Sequence, residues 1–211
     1  MARLEQMIEG YHRFRETGWK RERERWSDLA EGQSPKVMVL ACSDSRVEPA
    51  LIFDANPGEM FVVRNVANLA PPFETTHGYH GVSAALEFAV TQLEVEEVLV
   101  LGHGSCGGCA AALSGQFDDA DHGEGHFIAA WVDILKDARA KVRSSHAELR
   151  PDAFLAMERE AVKVSLDNLR TFPWVSEREQ AGSLTLHGGH FSISEGLLYL
   201  LDEAEGEFRP A

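Results

Sequence analysis

Two short apolar runs, each followed at once by a residue that can bind a metal, place the strongest constraint on the fold of this chain. Residues 36–41, Lys-Val-Met-Val-Leu-Ala, come directly before Cys42, and residues 97–101, Glu-Val-Leu-Val-Leu, come before Gly102 and His103. Continuous apolar runs of this length are typical of strands buried on both faces of a parallel sheet. Because parallel strands end at the same edge of a sheet, where open α/β folds bind ligands, the two runs predict a site that contains Cys42 and His103.

The remaining pattern alternates between strands and helices. We predict further strands over 59–64, 184–187, 191–193 and 196–201, helices over 78–93, 107–115, 126–147 and 152–171, and a loop over 116–125. This alternation favours an α/β fold, a mainly parallel β-sheet core flanked by helices that ends in a C-terminal strand hairpin. We expect a single domain over 1–211, with a helical arm at 1–31, the site-bearing core at 35–115, and helices and C-terminal strands at 116–211.

Composition narrows the classes of partner. The chain has 211 residues with 34 acidic against 20 basic side chains, a net charge of −14, which argues against nucleic acid and an anionic membrane surface as partners. No run approaches the ~20 apolar residues of a membrane span, and the N-terminus shows no signal-peptide pattern. Three cysteines fit a reducing compartment better than a disulfide framework, so a cytoplasmic location is expected.

The candidate metal ligands are Cys42, His103 and Cys106. Two thiols and one imidazole are ligand types that Zn²⁺ takes, and three protein ligands leave a fourth position open for catalysis, so Zn²⁺ is the expected cofactor. Asp44 and Arg46 follow Cys42 at spacings of two and four. Asp44 can either occupy the fourth position or be held away from the metal by a charge-assisted bond to Arg46, which gives the site an on/off switch.

The residues alone leave two other interpretations open. Cys106 and Cys109 form a Cys-x-x-Cys pair, the spacing of a thiol redox protein. The same two cysteines with Cys42 and His103 could form a closed structural zinc site. His187 and His190 are expected in the C-terminal strands, away from the metal.

Three motifs together resemble the signatures of the β-class carbonic anhydrases. They are Cys-Ser-Asp-Ser-Arg at 42–46, Phe-Val-Val-Arg-Asn-Val-Ala-Asn at 61–68 and Gly-His-Gly-Ser-Cys-Gly-Gly at 102–108, and the resemblance runs from about Gln33 to Leu113. It implies reversible hydration of CO2 to bicarbonate and a proton on zinc held by Cys42, His103 and Cys106. It also implies a homodimer or higher homo-oligomer in which the N-terminal helical arm packs on the partner subunit.

The resemblance further implies a substrate pocket of the plant-like subclass. Gln33, Phe61 and Val66 match that pocket, Gly104 lets the backbone approach the site, and Phe88 stands where a tyrosine is frequent. The other subclass has tryptophan and glycine where this chain has Val39 and Ala41, so no bicarbonate regulatory site is expected. A hydrolase for CS2 or COS and a zinc-containing sensing protein locked by Asp44 remain alternative functions.

Overall fold

The computed structural model describes residues 3–119 and 126–211, and it divides the chain into two compact units, one ending at Ser34 and one beginning at Pro35. Within the described residues, no helix is long and apolar enough to cross a membrane. Residues 120–125 of the predicted loop lie outside the described part of the chain, and residues 116–119 form turns.

The first unit is helical. It consists of α1 (Arg3–Glu16), α2 (Gly18–Arg21) and α3 (Arg23–Glu31), and none of the residues in these three helices is buried. Inside the unit, the rings of Phe14 and Trp26 pack edge to face with centroids 5.9 Å apart. The packing of this arm on a partner subunit stays a prediction.

The second unit is built on one six-stranded sheet. Its strands are β1 (Val37–Cys42), β2 (Met60–Asn65), β3 (Glu97–His103), β4 (Thr185–Ser192), β5 (Leu197–Asp202) and β6 (Glu207–Pro210), in the spatial order β2-β1-β3-β4-β5-β6. Strands β2, β1, β3 and β4 are parallel to one another, while β5 and β6 add antiparallel strands at one edge. The predicted fold class, a mainly parallel sheet flanked by helices with antiparallel C-terminal strands, is confirmed.

The strand order creates a crevice. The chain leaves β1 towards β2 on one side and leaves β3 towards β4 on the other, so the adjacent β1 and β3 form a switch point of the kind where open sheets bind ligands. Cys42 is the last residue of β1, and His103 is the last residue of β3. The sheet therefore brings together the two residues that the apolar runs predicted to meet.

Helices cover the sheet and support this edge. They are α4 (Pro49–Ile52), α5 (Gly81–Glu87), α6 (Gly107–Ser114), α7 (Phe127–Val132), α8 (Lys136–Ser145), α9 (Pro151–Arg170) and α10 (Pro173–Gln180). Helix α9 packs on β3 and β4. A Cβ on Gly102 would lie 2.7 Å from a methyl group of Val162, so only glycine lets the helix approach β3 this closely.

Several predicted boundaries are wrong. The two predicted strands at 184–187 and 191–193 are one strand, β4, because Gly188 lies inside the sheet, where a side chain would crowd Leu201 and Val162 at 3.0 Å. The helix predicted from residue 78 begins at Gly81 and continues as a π-helical turn over Phe88–Gln92. The sequence patterns did not reveal α4, α10 and β6, because each is only four to eight residues long.

Candidate metal centre

Three buried side chains converge at the switch point. The ligand atoms of Cys42, His103 and Cys106 all lie within 4.8 Å of one another, and the two sulfurs are 4.0 Å apart. Two sulfurs bound to one tetrahedral zinc ion at about 2.3 Å each lie about 3.8 Å apart, so the observed spacing fits a shared ion. Cys106 reaches the group because it caps the N-terminus of α6, immediately after the turn that follows β3.

The imidazole of His103 is oriented for metal binding. Its Nδ1–H donates to the carbonyl oxygen of Gly104 at 2.9 Å, which leaves the lone pair of Nε2 directed at the thiols. The ring is fully buried, and Nε2 has no hydrogen-bond partner among the described residues. A buried ring nitrogen without a partner is costly, and a metal ion would satisfy it. The donor set therefore fits zinc.

Asp44 and Arg46 form a bidentate ion pair beside the thiols. Arg46 donates from Nε to Oδ1 at 2.9 Å and from Nη2 to Oδ2 at 2.7 Å, and its backbone N–H donates to Oδ1 at 2.9 Å. Oδ2 of Asp44 lies 4.0 Å from Nε2 of His103. These bonds from Arg46 hold the pKa of the Asp44 carboxyl well below its usual range, so the group is a carboxylate at neutral pH.

The loop after β1 is fixed by a second arginine. Arg64 donates from Nε to the carbonyl oxygen of Cys42 at 2.9 Å and from Nη2 to those of Asp44 and Val47, each at 2.8 Å. It also pairs with the carboxylate of Glu48. The side chain of Arg64 therefore holds in place the backbone that carries both Cys42 and Asp44. Sequence reasoning treated Arg64 only as part of a strand motif.

A buried hydrogen-bonded pair of side chains, Glu158 and His190, lies behind Cys106, and it corrects the prediction for His190. Glu158 of α9 accepts the backbone N–H of Cys106 at 3.0 Å through Oε1, and it accepts Nε2–H of His190 at 3.0 Å through Oε2. His190 therefore lies two hydrogen bonds from a metal-ligand residue and not away from the centre. Glu158 sits among apolar residues of α9, and a charged residue on the buried face of a helix is the signal that could have revealed it.

The predicted pocket residues are only partly brought together. The rings of Phe61 and Phe88 are in contact, with centroids 6.0 Å apart. Val66 follows β2, and its carbonyl oxygen accepts the indole N–H of Trp131 at 2.8 Å. Gln33 belongs to the first unit, so its place at the site stays a prediction, as does the pocket role of the other three.

Gly108 lets the start of α6 approach Val66, and an alanine there should disturb both. A Cβ on Gly108 would lie 2.7 Å from Cγ1 of Val66 and 3.0 Å from Cβ of Ala67. We expect Gly108→Ala to lower the free energy of unfolding by about 1–3 kcal/mol, measured by urea denaturation. Gly107→Ala is the matched control, because a Cβ at Gly107 meets nothing within 4 Å. Equal stability of the two variants would contradict the close contact.

Zinc binding should release protons from the thiols. The neighbouring Cys106 thiol and burial raise the pKa of Cys42 to about 12, and the Cys109 thiol together with burial raises the pKa of Cys106 to about 12. Both are therefore protonated at pH 8 before a cation displaces their protons. We expect the release of at least about two protons per zinc ion at pH 8, measured by titration calorimetry in buffers of different ionisation enthalpy. Cys42→Ser should release about one fewer, and release independent of this change would exclude Cys42 as a ligand.

The fold and the centre together define a class of protein, an α/β metalloprotein with a Cys2His centre at the switch point of a parallel sheet. A family model described as carbonic anhydrase matches residues 37–198. The chain is 36% identical over 194 residues to beta carbonic anhydrase 3 of Arabidopsis thaliana, covering 92% of this chain and 74% of that protein.

Solved structures of β-carbonic anhydrases share this fold. The β-carbonic anhydrase CcaA superposes with a TM-score of 0.91 at 30% identity, over 100% of this chain and 93% of that one. The β-carbonic anhydrase of Coccomyxa, solved in complex with acetazolamide, superposes with a TM-score of 0.80 at 28% identity, over 95% and 87%. The chain belongs to the β-class carbonic anhydrases, zinc enzymes that catalyse the reversible hydration of CO2 to bicarbonate and a proton. The predicted family, activity and cofactor are confirmed.

Proposed function

We propose that this carbonic anhydrase works from an open centre, with Cys42, His103 and Cys106 as the zinc ligands and Asp44 held away from the metal by Arg46. The observation that carries the proposal is the bidentate Asp44–Arg46 pair. Its hydrogen bonds occupy the carboxylate that lies beside Nε2 of His103, a nitrogen without a hydrogen-bond partner in the described part of the chain. A closed centre would need Asp44 to give up these bonds. The sensing-protein alternative is disfavoured for the same reason.

Asp44 is suited to orient a water molecule. An ionised carboxylate has about four acceptor sites. Arg46 fills three of them, two on Oδ1 and one on Oδ2, so one site remains on Oδ2, the oxygen nearer to His103. Zinc, when bound, supplies the positive charge that lowers the pKa of a water molecule. Asp44 can accept a hydrogen bond from that water and fix its direction, but as a permanent carboxylate it does not store the released proton.

The apolar residues suit a small linear substrate. Phe61 and Phe88 offer aromatic surface without a hydroxyl, and Val66 adds an aliphatic side chain close to the start of α6. CO2 has no net dipole, so an apolar wall contacts it without competing for hydrogen bonds. Gln33 is proposed to supply one amide that orients the substrate. Gly104, whose carbonyl oxygen accepts the Nδ1–H of His103, is proposed as the backbone position beside the substrate.

A stopped-flow assay of CO2 hydration from pH 6.5 to 9, on protein with measured zinc content, tests the open centre. Activity at pH 7 that grows with pH is expected. Zinc-loaded protein without activity at any pH would contradict the proposal and favour the closed sensing protein. Release of sulfide from CS2 or COS at a rate above that of CO2 hydration would instead favour the hydrolase.

We further propose a homodimer or higher homo-oligomer located in the cytoplasm. Two features support assembly. Strand β2 has no neighbouring strand on its outer side among the described residues and carries an exposed Val62. The three helices of the arm contain no buried residue. A structural neighbour from Sordaria macrospora is described as tetrameric, with a TM-score of 0.78 at 24% identity. Light scattering after size-exclusion chromatography tests this, and a monomer at micromolar concentration would contradict it. Fractionation of the source cells tests the location.

A further inference from the structure

One peptide unit, between Ser105 and Cys106, connects the Asp44–Arg46 pair to the buried pair behind the centre. Its carbonyl oxygen accepts a hydrogen bond from Nη2 of Arg46 at 2.9 Å. Its N–H, on Cys106, donates to Oε1 of Glu158 at 3.0 Å. A peptide unit is planar and rigid, so displacement of the N–H end also displaces the carbonyl end.

The backbone at this point is strained and needs to be held. Ser105 has a φ of +57°, in the left-handed region that residues other than glycine rarely adopt. Such a conformation costs of order 1 kcal/mol and persists only where the surroundings impose it. Arg46 donates to the carbonyl end of the peptide that follows Ser105, and the N–H end of that peptide donates to Glu158. These two hydrogen bonds are suited to hold Ser105 in the left-handed conformation.

Glu158 is itself held in place. Its second oxygen accepts Nε2–H of His190 at 3.0 Å, and the side chains of Glu158 and His190 are only 5% and 2% exposed. A buried carboxylate that is hydrogen-bonded to an imidazole is seldom more stable than apolar residues of the same volume, so the stability of the fold does not by itself account for the pair. Its two acceptor oxygens are directed at one backbone N–H and one imidazole, which fixes the carboxylate in position and orientation.

We propose that Glu158 is a positioning residue for the gate formed by Asp44 and Arg46. By fixing the peptide between Ser105 and Cys106, it keeps the Ser105 carbonyl where Arg46 can hold both that oxygen and Asp44. The hydrogen bond from Cys106 N–H to Glu158 also fixes the backbone from which the Cys106 side chain extends. His190 supports Glu158 from β4. The inference rests on the proposed open centre, and it adds Glu158 and His190 as residues that position the Asp44–Arg46 pair.

The test is the pH at which the gate opens. With zinc held by Cys42, His103 and Cys106, hydroxide would compete with Asp44 for the position that these residues leave open, and hydroxide is more abundant at higher pH. If the hydrogen bonds from Arg46 to Asp44 are weaker, Asp44 is therefore displaced from the metal only at a higher pH. Loss of one anchoring hydrogen bond to a charged group is expected to change the balance by about tenfold, a shift of about one pH unit. A residue needed only for packing would lower the melting temperature without moving this midpoint.

The variants are Glu158→Ala, Glu158→Gln and, as a matched control on the same helix, Glu160→Ala, which loses ion pairs to Lys141 and Lys163. The midpoint is measured in two ways, from the pH profile of CO2 hydration and from the visible absorption of the cobalt-substituted protein. Glu158→Ala should shift both midpoints upward. Glu158→Gln, which can still accept the Cys106 N–H, and Glu160→Ala should stay at the wild-type value.

Unshifted midpoints in folded Glu158→Ala would overturn the inference. If that variant does not fold, His190→Ala carries the test, because it removes the second anchor of Glu158 and should shift the midpoints in the same direction. Unshifted midpoints there would likewise overturn it. Arg46→Lys separates the two proposals, because it weakens the gate directly. No shift in Arg46→Lys would count against the gate itself, whereas a shift there without one in the Glu158 variants would count only against Glu158.

Discussion

Arg46→Ala is expected to lower the rate of CO2 hydration at pH 7 by at least about 100-fold while zinc remains bound. Arg46 makes two side-chain hydrogen bonds to Asp44, at 2.9 and 2.7 Å. Charge-assisted, bidentate hydrogen bonds are stronger than neutral ones, although the solvent exposure of Arg46 weakens them here. Without them, Asp44 is free to bind the metal and to occupy the position that the reaction needs. Stopped-flow rates and zinc content, measured on the same sample, check this.

Two further variants make the result specific to the bidentate pair. Arg46→Lys keeps the charge but not the planar fork, and it should fall between the wild type and Arg46→Ala. Arg209→Ala removes another arginine that pairs with an aspartate, Asp202, at 3.0 Å in the C-terminal strands, and it should keep full activity. Wild-type rates in Arg46→Ala would show that Asp44 is kept from the metal by other means.

Cys42→Ala is expected to lower the zinc content by at least about tenfold after dialysis against a chelator, with loss of activity. Only two ligands remain in that variant, and they come from one strand end and the adjacent helix cap. Structural zinc sites in small proteins bind with about 10–16 kcal/mol, so one thiolate ligand accounts for several kcal/mol of affinity. Metal analysis of the purified protein is the measurement, and one zinc ion per chain in this variant would contradict the assignment.

Cys109→Ala is the control that distinguishes an open centre from a closed one. Cys109 is buried on α6 but does not belong to the group of three ligand atoms that lie within 4.8 Å. If the centre is open, this variant keeps its zinc and its activity. If Cys109 completes a closed structural site, it loses zinc as Cys42→Ala does. The comparison therefore separates the open catalytic centre from the closed structural site that the cysteine spacing also allowed.

The part of the centre that lies on strand ends could be predicted from the sequence. Uninterrupted apolar runs before Cys42 and His103 marked buried parallel strands, and parallel strands end at the same edge of a sheet, so both residues could be placed at that edge. The direct pairing of β1 with β3 is set by the order of the strands in the sheet, which the runs do not determine. Asp44 and Arg46 are near in sequence, and their pairing follows from opposite charge at short range. The bidentate geometry and the bond to the Ser105 carbonyl depend on the loop and could not be predicted.

The buried support of the centre could not be predicted because its partners are distant in sequence. Glu158 lies 52 residues after Cys106, and His190 lies a further 32 after Glu158. Helical periodicity predicted α9 but not the neighbours of its buried face. The continuity of β4 was missed for a related reason, since glycine usually interrupts a strand, whereas here it makes room for Val162 and Leu201.

The position of the ligands at the ends of regular elements has a consequence for how the enzyme acquires its metal. Cys42 ends β1, His103 ends β3 and Cys106 caps α6, and all three are buried. The central strands that carry the first two ligands belong to the most stable part of a domain. The entropic cost of bringing the three ligands together is therefore met when the chain folds, and metal binding has little backbone left to order.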